Sequence, residues 1–331
     1  MKKIKIAQIG LNTYSHGKPT FQRLERLSEL FEIAGFALPE NEKERLPQWK
    51  EIFAGYQELS VEKIINDPTI EAVTIETDEI YLTKYALMAA RAGKHIQMEK
   101  PGGTSLAAFE ELIATMKQTG KVFQTGYMYR YNPYVIEALE KVRRGDLGEI
   151  ISVEAQMNCA HPKEMREWLD ELPGGMMFYL GCHLIDLIYS IQGAPQKIYP
   201  FNKCSHFEIE KGKDFGMAIL EYPHGISFAK TTAIEMGGFE RRQLVINGTK
   251  GTIELHPLEW IHPNKLQNTA KREVYTTDWK TAAKTEWCEP FDRYEPMLRG
   301  FGEMILGKRE NPYTLDYELE LFKLILKACG E

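Results

Sequence analysis

The chain has no apolar run near the roughly 20 residues needed to cross a bilayer. Its opening, Met1-Lys-Lys-Ile-Lys-Ile-Ala-Gln-Ile-Gly10, is too short for a signal peptide and reads as a first strand. It lacks any block of lysines or arginines. With 41 basic against 47 acidic residues, a net charge of -6 and a pI near 5.9, it offers no electrostatic footprint for nucleic acid. The five cysteines, Cys159, Cys182, Cys204, Cys288 and Cys329, are odd in number and form no CxxC pair. That argues against a disulfide framework and suits reduced thiols in the cytoplasm. No metal-ligand cluster, internal repeat or low-complexity linker is visible.

What is present describes a globular protein of two domains. The 331 residues, 43% apolar and 27% charged, exceed one ordinary core. Residues 1–125 alternate short apolar runs (Ile4 to Ile9, Phe31 to Leu38, Ala72 to Ile75, Lys94 to Met98, Lys121 to Thr125) with amphipathic stretches (Phe21 to Leu30, Tyr81 to Ala92, Ser105 to Thr119). Repeated strand-helix-strand units force right-handed crossovers, hence a doubly wound parallel sheet. From 126 to 331 the pattern changes. A helix from about Pro133 to Arg144 precedes strand runs at 150–157, 215–222, 226–234, 242–247 and 252–255, with turns at Tyr222-Pro-His-Gly225 and Asn247-Gly-Thr-Lys-Gly251. One long apolar helix, Met176 to Ile191, interrupts the strands, and Tyr313 to Ala328 closes the chain as another. The expected fold is α/β: a doubly wound domain over 1–125 followed by a strand-rich α+β domain over 126–331 whose strands form one broad sheet. An uncovered sheet face predicts a homo-oligomer, dimer or tetramer, through that sheet.

Three stretches carry chemistry. The first is His95-Ile-Gln-Met-Glu99-Lys100-Pro101-Gly102-Gly103, where an apolar strand ends in an acid and a lysine. Ligands of open α/β sheets sit beyond the carboxyl ends of the strands, so Lys100 is a candidate catalytic cation; the alternative is a solvated lysine before a turn. The second is the loop Gly10-Leu-Asn12-Thr-Tyr-Ser15-His-Gly17, which keeps only the first glycine of a G-x-G-x-x-G fingerprint. Asn12 tolerates a left-handed conformation and Ser15 is small, while Pro19 predicts a helix beginning near Lys18 or Pro19. The strand that should end in a ribose-binding acid ends in Leu38-Pro39-Glu40, which leaves Glu40 as a ribose contact or a solvated helix start, and NAD against NADP open. The third is Gly174-Gly175-Met-Met-Phe-Tyr179-Leu-Gly181-Cys-His183-Leu-Ile-Asp186. Spacings of four and three put Tyr179, His183 and Asp186 on one helix face, where a carboxylate can orient an imidazole; a core histidine beside an acid is the alternative.

Together with Gly126-Tyr-Met-Tyr-Arg130-Tyr-Asn-Pro133 and Gly248-Thr-Lys-Gly-Thr252, these motifs resemble the Gfo/Idh/MocA oxidoreductase family over almost the whole chain. The resemblance implies an N-terminal Rossmann domain, a C-terminal α+β domain on a large, open, mainly antiparallel sheet, NAD or NADP as cofactor, and a sugar, sugar derivative or polyol as substrate. It implies a cofactor site of Gly10, Leu11, Asn12, Ser15, Thr77, Glu99, Lys100 and Met128. It implies Lys100 at the reacting hydroxyl, His183 as proton acceptor with Tyr179 and Asp186 beside it, and Arg130, Asn158 and Trp168 against the substrate. Tyr129, His161 and Arg166 lie in segments that could rim the site.

The departures from the family pattern are also specific. Tyr179 stands where the family has Asp, and Thr77-Asp78-Glu79-Ile-Tyr-Leu82 keeps only the threonine of Thr-Pro-Asn-x-x-His. Besides a dehydrogenase or reductase, a sugar- or nucleotide-sensing relative without redox activity and an enzyme with a tightly held cofactor in a redox-neutral cycle remain open.

Overall fold

The computed structural model describes residues 2–12, 14–261, 266–278, 280 and 282–331. The chain divides into two compact units, Met1–Tyr127 with Tyr294–Phe322, and Met128–Arg293 with Lys323–Glu331.

The first unit runs β1 (Ile4–Ile9), α1 (Gly17–Arg26), β2 (Phe31–Ala37), α2 (Glu42–Arg45), α3 (Trp49–Ile52), α4 (Val61–Asn66), β3 (Ala72–Ile75), α5 (Leu82–Arg91), β4 (His95–Met98), α6 (Leu106–Thr119) and β5 (Phe123–Thr125). Its five strands are parallel in the order β2-β1-β3-β4-β5, which is the doubly wound sheet the alternation predicts. Local signals set the helix ends. The Ser105 hydroxyl accepts from Ala108 N at the start of α6, and Gly120, left-handed at φ 63°, ends it.

The second unit contains α7 (Pro133–Arg144), β6 (Ile150–Asn158), α8 (Lys163–Trp168), a π-helical turn (Met177–Gly181) continuing into α9 (Cys182–Gln192), β7 (Lys197–Lys203), β8 (Phe215–Tyr222), β9 (Gly225–Thr232), β10 (Gln243–Gly248), β11 (Thr252–Leu255), the short β12 (Trp260–Ile261) and β13 (Gln267–Asn268), β14 (Ala270–Val274) and β15 (Thr285–Trp287). Eight strands form one sheet, β15-β14-β11-β10-β6-β9-β8-β7, antiparallel except for β6 beside β9. The predicted helix over 176–191 therefore opens as a π turn. A Cβ on Gly181 would stand 2.4 Å from Met177 Sδ, so the turn packs on a residue that glycine alone admits.

The boundary differs from the expected 126–331. After β15 the chain forms α10 (Glu295–Ile305) and α11 (Leu315–Cys329), and the segment through Phe322 belongs to the first unit. The cause is apolar burial. Leu298, Phe301 and Met304 of α10 share one core with Ile4, Ile6, Leu24, Leu27, Phe31 and Ala72. A second core of the first unit joins Leu11, Phe21, Phe36, Leu46, Ile52 and Phe53, with the Phe36 and Phe53 rings stacked at 4.1 Å.

Candidate active site

In the first unit the carboxyl ends of β1, β3 and β4 are stitched together. Gly10 N donates to Ala37 O, Glu76 N to Ile9 O, and Glu99 N to Ile75 O, all within 2.9 Å. Gly10 sits at φ 91°, and a Cβ there would stand 2.5 Å from Thr77 N. Asn12 is left-handed at φ 55°, as its residue type allows, and its amide donates to Thr77 O at 3.0 Å and Glu79 Oε2 at 3.4 Å. α1 begins at Gly17, with Pro19 in its first turn, no side-chain cap and no acid in that turn. A Cβ on Gly17 would stand 2.2 Å from Leu11 O, which clamps the loop against the helix start.

This loop is bordered by carboxyl groups. Glu99 accepts from the Ser15 hydroxyl and lies 3.0 Å from His16 Nδ1 and 3.8 Å from Lys100 Nζ. Burial opposes its ionisation, yet His16, Lys100 and Ser15 hold it below the ordinary carboxylate range. Lys100 is fully buried. Burial, followed by the Glu99 charge, pushes Glu76 well up, and burial pushes Glu79 up to about 7. Thr77 Oγ1 and Glu79 Oε1 are buried without a hydrogen-bond partner.

One further acid was not among the expected site residues. Glu42, 1% exposed, accepts from Leu11 N at 3.0 Å and from Asn12 N at 3.2 Å. Burial pushes its carboxyl up to about 8 against those two donors. Glu40, the acid singled out from the sequence, turns elsewhere and binds Lys84 and the Tyr85 hydroxyl. Glu40 and Asn41 are both left-handed, at φ 56° and 57°, and this double turn is what swings Glu42 back onto the loop. Leu11 meets the loop reading only through its amide, since its side chain lies in the Phe21 core.

In the second unit Tyr179, His183 and Asp186 are all buried, as are Met128 and Tyr129 of a 3₁₀ turn over Met128–Tyr131. The His183 ring meets the Tyr129 ring edge-on at 5.5 Å. Tyr179 packs edge-on against both Trp168, at 5.4 Å, and His161, at 6.2 Å. Asp186 is gripped in a fork: Arg130 donates from Nε at 3.0 and 3.1 Å and from a terminal nitrogen at 2.9 Å. Arg130 is thus placed as the counter-ion of Asp186.

Behind Tyr129 lies an ion cluster that no local signal announces. The Tyr129 hydroxyl donates to Glu259 at 2.6 Å, and Arg242 and Arg293 donate to the same carboxylate. Burial opposes the charge on Glu259, but Arg293 and Arg242 keep it below the ordinary range. Two expected residues fall outside this group. Asn158 lies on the face of β6 opposite Val153, Ala155 and Met157, with its amide donating to Gln156 and Glu235. Arg166 is buried against Phe207 O, Glu208 and Asp214, an anchor for the 205–214 segment.

These residues fit a dinucleotide. The uncapped start of α1 suits a diphosphate, and Gly10 and Gly17 leave backbone clearance no side chain would permit. Comparison with known proteins agrees. Residues 4–127 match the oxidoreductase family with an NAD-binding Rossmann fold, and residues 135–254 match the GFO/IDH/MocA C-terminal domain. The chain is 32% identical over 139 residues to the uncharacterized oxidoreductase YhhX of Escherichia coli K12, covering 42% of this chain and 40% of that protein. It thus spans less than half the length of that relative. It is 24% identical over 250 residues to D-xylose 1-dehydrogenase (NADP(+)) 2 of Haloferax volcanii, 74% of this chain and 73% of that one. Its fold is similar to that of levoglucosan dehydrogenase in complex with NADH and levoglucosan, at TM-score 0.82 and 16% identity, covering 99% and 98% of the two chains. With both family domains in order along one chain, the protein belongs to the GFO/IDH/MocA oxidoreductase family, with an NAD-binding Rossmann fold in its first unit.

Proposed function

We propose that the protein transfers hydride between a nicotinamide cofactor and a hydroxyl or carbonyl carbon of a sugar, sugar derivative or polyol. The observation that carries this reading is Lys100, a fully buried ammonium at the carboxyl end of β4 whose neighbour Glu99 is tied to Ser15 and His16 of the glycine loop. A buried cation in a nucleotide-binding crevice is there to meet an oxygen that gains negative character. The bound cofactor supplies the hydride acceptor or donor. Lys100 would hold the cofactor ribose and the oxygen that gains charge. In the second unit His183 is the group that would exchange a proton with a substrate hydroxyl, and the Arg130–Asp186 pair positions the α9 turn that carries it. Trp168 and Tyr179 offer a sugar the apolar ring surface that carbohydrate C–H faces pack on.

The relatives support a sugar-type substrate: one is named a D-xylose dehydrogenase, and another is a levoglucosan dehydrogenase with its sugar bound. Assembly through the open sheet face is part of the same reading. Tyr199, Phe201, Ile226 and Trp287 leave exposed apolar surface there, and light scattering of the purified protein should give a dimer or tetramer. A cytoplasmic site of action accords with the free cysteines.

The direct test mixes protein with NAD⁺ or NADP⁺, follows tryptophan quenching, and then screens D-xylose, D-glucose and myo-inositol for reduced nicotinamide. His183→Ala should lower kcat by about 10²- to 10⁴-fold with an unchanged melting temperature. Unchanged turnover in that variant removes His183 from the chemistry, and a protein that binds neither nucleotide is a sensor or has lost the reaction.

A further inference from the structure

Three acids of the first unit, Glu76, Glu79 and Glu99, bear on the buried Lys100 ammonium, and the proposed reaction uses none of their protons. All three are buried, but they are not alike. Glu99 lies 3.0 Å from His16 Nδ1 and 3.8 Å from Lys100 Nζ and accepts from the Ser15 hydroxyl, which together keep it ionised. Glu76 is kept protonated by burial and by the Glu99 charge. Glu79 stands between these extremes. Its Oε2 takes one long bond, 3.4 Å, from the Asn12 amide of the glycine loop, and its Oε1 is bonded to nothing. A proton can therefore be added at Oε1 without breaking a hydrogen bond. Lys100 favours the ionised form of Glu79, while Glu99 and Asp78 oppose it, and Arg45 holds Asp78 at 2.8 Å. Burial exceeds these charges and leaves Glu79 titrating at about 7. Glu42, which accepts the Asn12 backbone amide, titrates higher, at about 8.

We propose that Glu79 takes up a proton when a dinucleotide binds, so that the first unit binds cofactor and proton together. This rests on the dehydrogenase reading and adds a linked ligand to its cofactor site. The cause is electrostatic. A diphosphate at the uncapped start of α1 brings negative charge to the loop that carries Asn12, and a carboxyl bonded to that loop then holds its proton more firmly. The neighbouring acids respond less. Glu76 and Glu42 already carry protons at pH 7, and His16, Lys100 and Ser15 hold Glu99 ionised. The sign follows from linkage. As pH rises through 7 the free protein releases the Glu79 proton while the complex keeps it, so affinity is full below about pH 6 and declines above 7. From pH 6 to 7.5, below the Glu42 transition, the dissociation constant should rise about fourfold.

The experiment titrates NAD⁺ and NADP⁺ into the full chain by calorimetry from about pH 6 to 7.5, in two buffers of different ionisation enthalpy, whose difference in heat counts the protons exchanged. The wild-type protein should take up about half a proton at pH 7, with the fourfold weakening across the range. Glu79→Gln should take up almost none and bind equally well throughout, and its difference from wild type cancels the titration of the ligand's own phosphates. Glu40→Gln should match the wild type, because Glu40 is held by Lys84 and Tyr85. A second measurement needs no variant that binds. The ¹³C carboxyl resonance missing from Glu79→Gln should titrate near 7 in the free wild-type protein and stay in its protonated position at pH 7.5 with dinucleotide bound. Proton release, or no exchange, in the wild type overturns the proposal outright. Uptake that Glu79→Gln retains, or a resonance that titrates alike with and without dinucleotide, overturns it as well. Binding of neither dinucleotide sinks the dehydrogenase reading beneath it, which is a different result from binding without a proton.

Discussion

Replacing Glu42 by Gln should remove most of the pH dependence of stability in the first unit between pH 5 and 8. The Glu42 carboxyl, ordinarily titrating at 4.5, is pushed up to about 8 by burial. A raised acid holds its proton in the folded state over a range where the unfolded chain releases it. Its contribution is therefore fully kept below pH 4.5 and lost as pH climbs through 8. At about 1.4 kcal/mol per pH unit, the interval from 4.5 to about 8 amounts to about 5 kcal/mol, of which about 4 falls between pH 5 and 8. Gln cannot ionise, so that slope disappears, although Gln has one oxygen for two amides and gives up about 1 kcal/mol at every pH. The two stability curves should then cross between pH 5 and 7, with the variant ahead by about 3 kcal/mol at pH 8. Glu79, pushed up to about 7, leaves both proteins a shared residual slope. Scanning calorimetry from pH 5 to 8 reads the effect as a midpoint gap that opens by about 8 °C or more, at about 2–4 °C per kcal/mol. Parallel curves for the two proteins would refute the argument that Glu42 is buried against the loop.

Gly17→Ala should destabilise the first unit and abolish nucleotide quenching, because the added Cβ would stand 2.2 Å from Leu11 O, a backbone atom that cannot swing aside. A melting temperature within a degree of wild type would count against the loop geometry. Arg130→Met should cost about 3 to 5 kcal/mol in urea denaturation, since it takes the guanidinium fork from the buried Asp186 carboxylate. Adding Asp186→Leu should restore much of that loss while leaving kcat low. If the double variant is no more stable than the single one, the fork is not what holds the pair.

The elements that sequence reading located are those with local signals at both ends. α7 has Asn132 capping Tyr134 and Val135, Pro133 in its first turn and left-handed Gly145 after its last, and it spans the predicted residues. β8 and β9 alternate buried and half-buried residues around a tight turn, as the pattern requires. β7 gave no such signal because Pro200 interrupts it, and the sheet tolerates that proline only because β7 is an edge strand. The return of α10 to the first unit was equally hidden: its apolar face is ordinary, and its partners Ile4 and Phe31 lie far back in the chain. Glu42 and Glu259 were missed for the same physical reason. Each meets its partners, Leu11 for one and Tyr129 for the other, across 31 and 130 positions, and a carboxylate in an acidic or mixed stretch looks solvated until the fold closes on it. Lys100 was legible because a strand end followed by Pro and Gly places it whatever the rest of the chain does.

Tyr179, which stands where the family has an acid, decides how far proton exchange at His183 departs from the family pattern. Its ring is fixed edge-on by Trp168 and flanked by His161, contacts that a phenylalanine would keep. The hydroxyl is therefore separable from the packing. Burial pushes His161 down to about 4, with Arg242 adding to it, so that imidazole is neutral near pH 7 and brings no second charge to the cluster. Tyr179→Phe should keep the ring packing at a cost no greater than that of one hydrogen bond, about 1 kcal/mol, yet lower kcat about ten- to a hundredfold if the hydroxyl shares the proton with His183. Tyr179→Asp should behave oppositely, lowering stability by placing an unpaired carboxylate between Trp168 and His161. Turnover of Tyr179→Phe equal to wild type, on a substrate that His183→Ala no longer converts, would show that Tyr179 fills space and that the imidazole alone moves the proton.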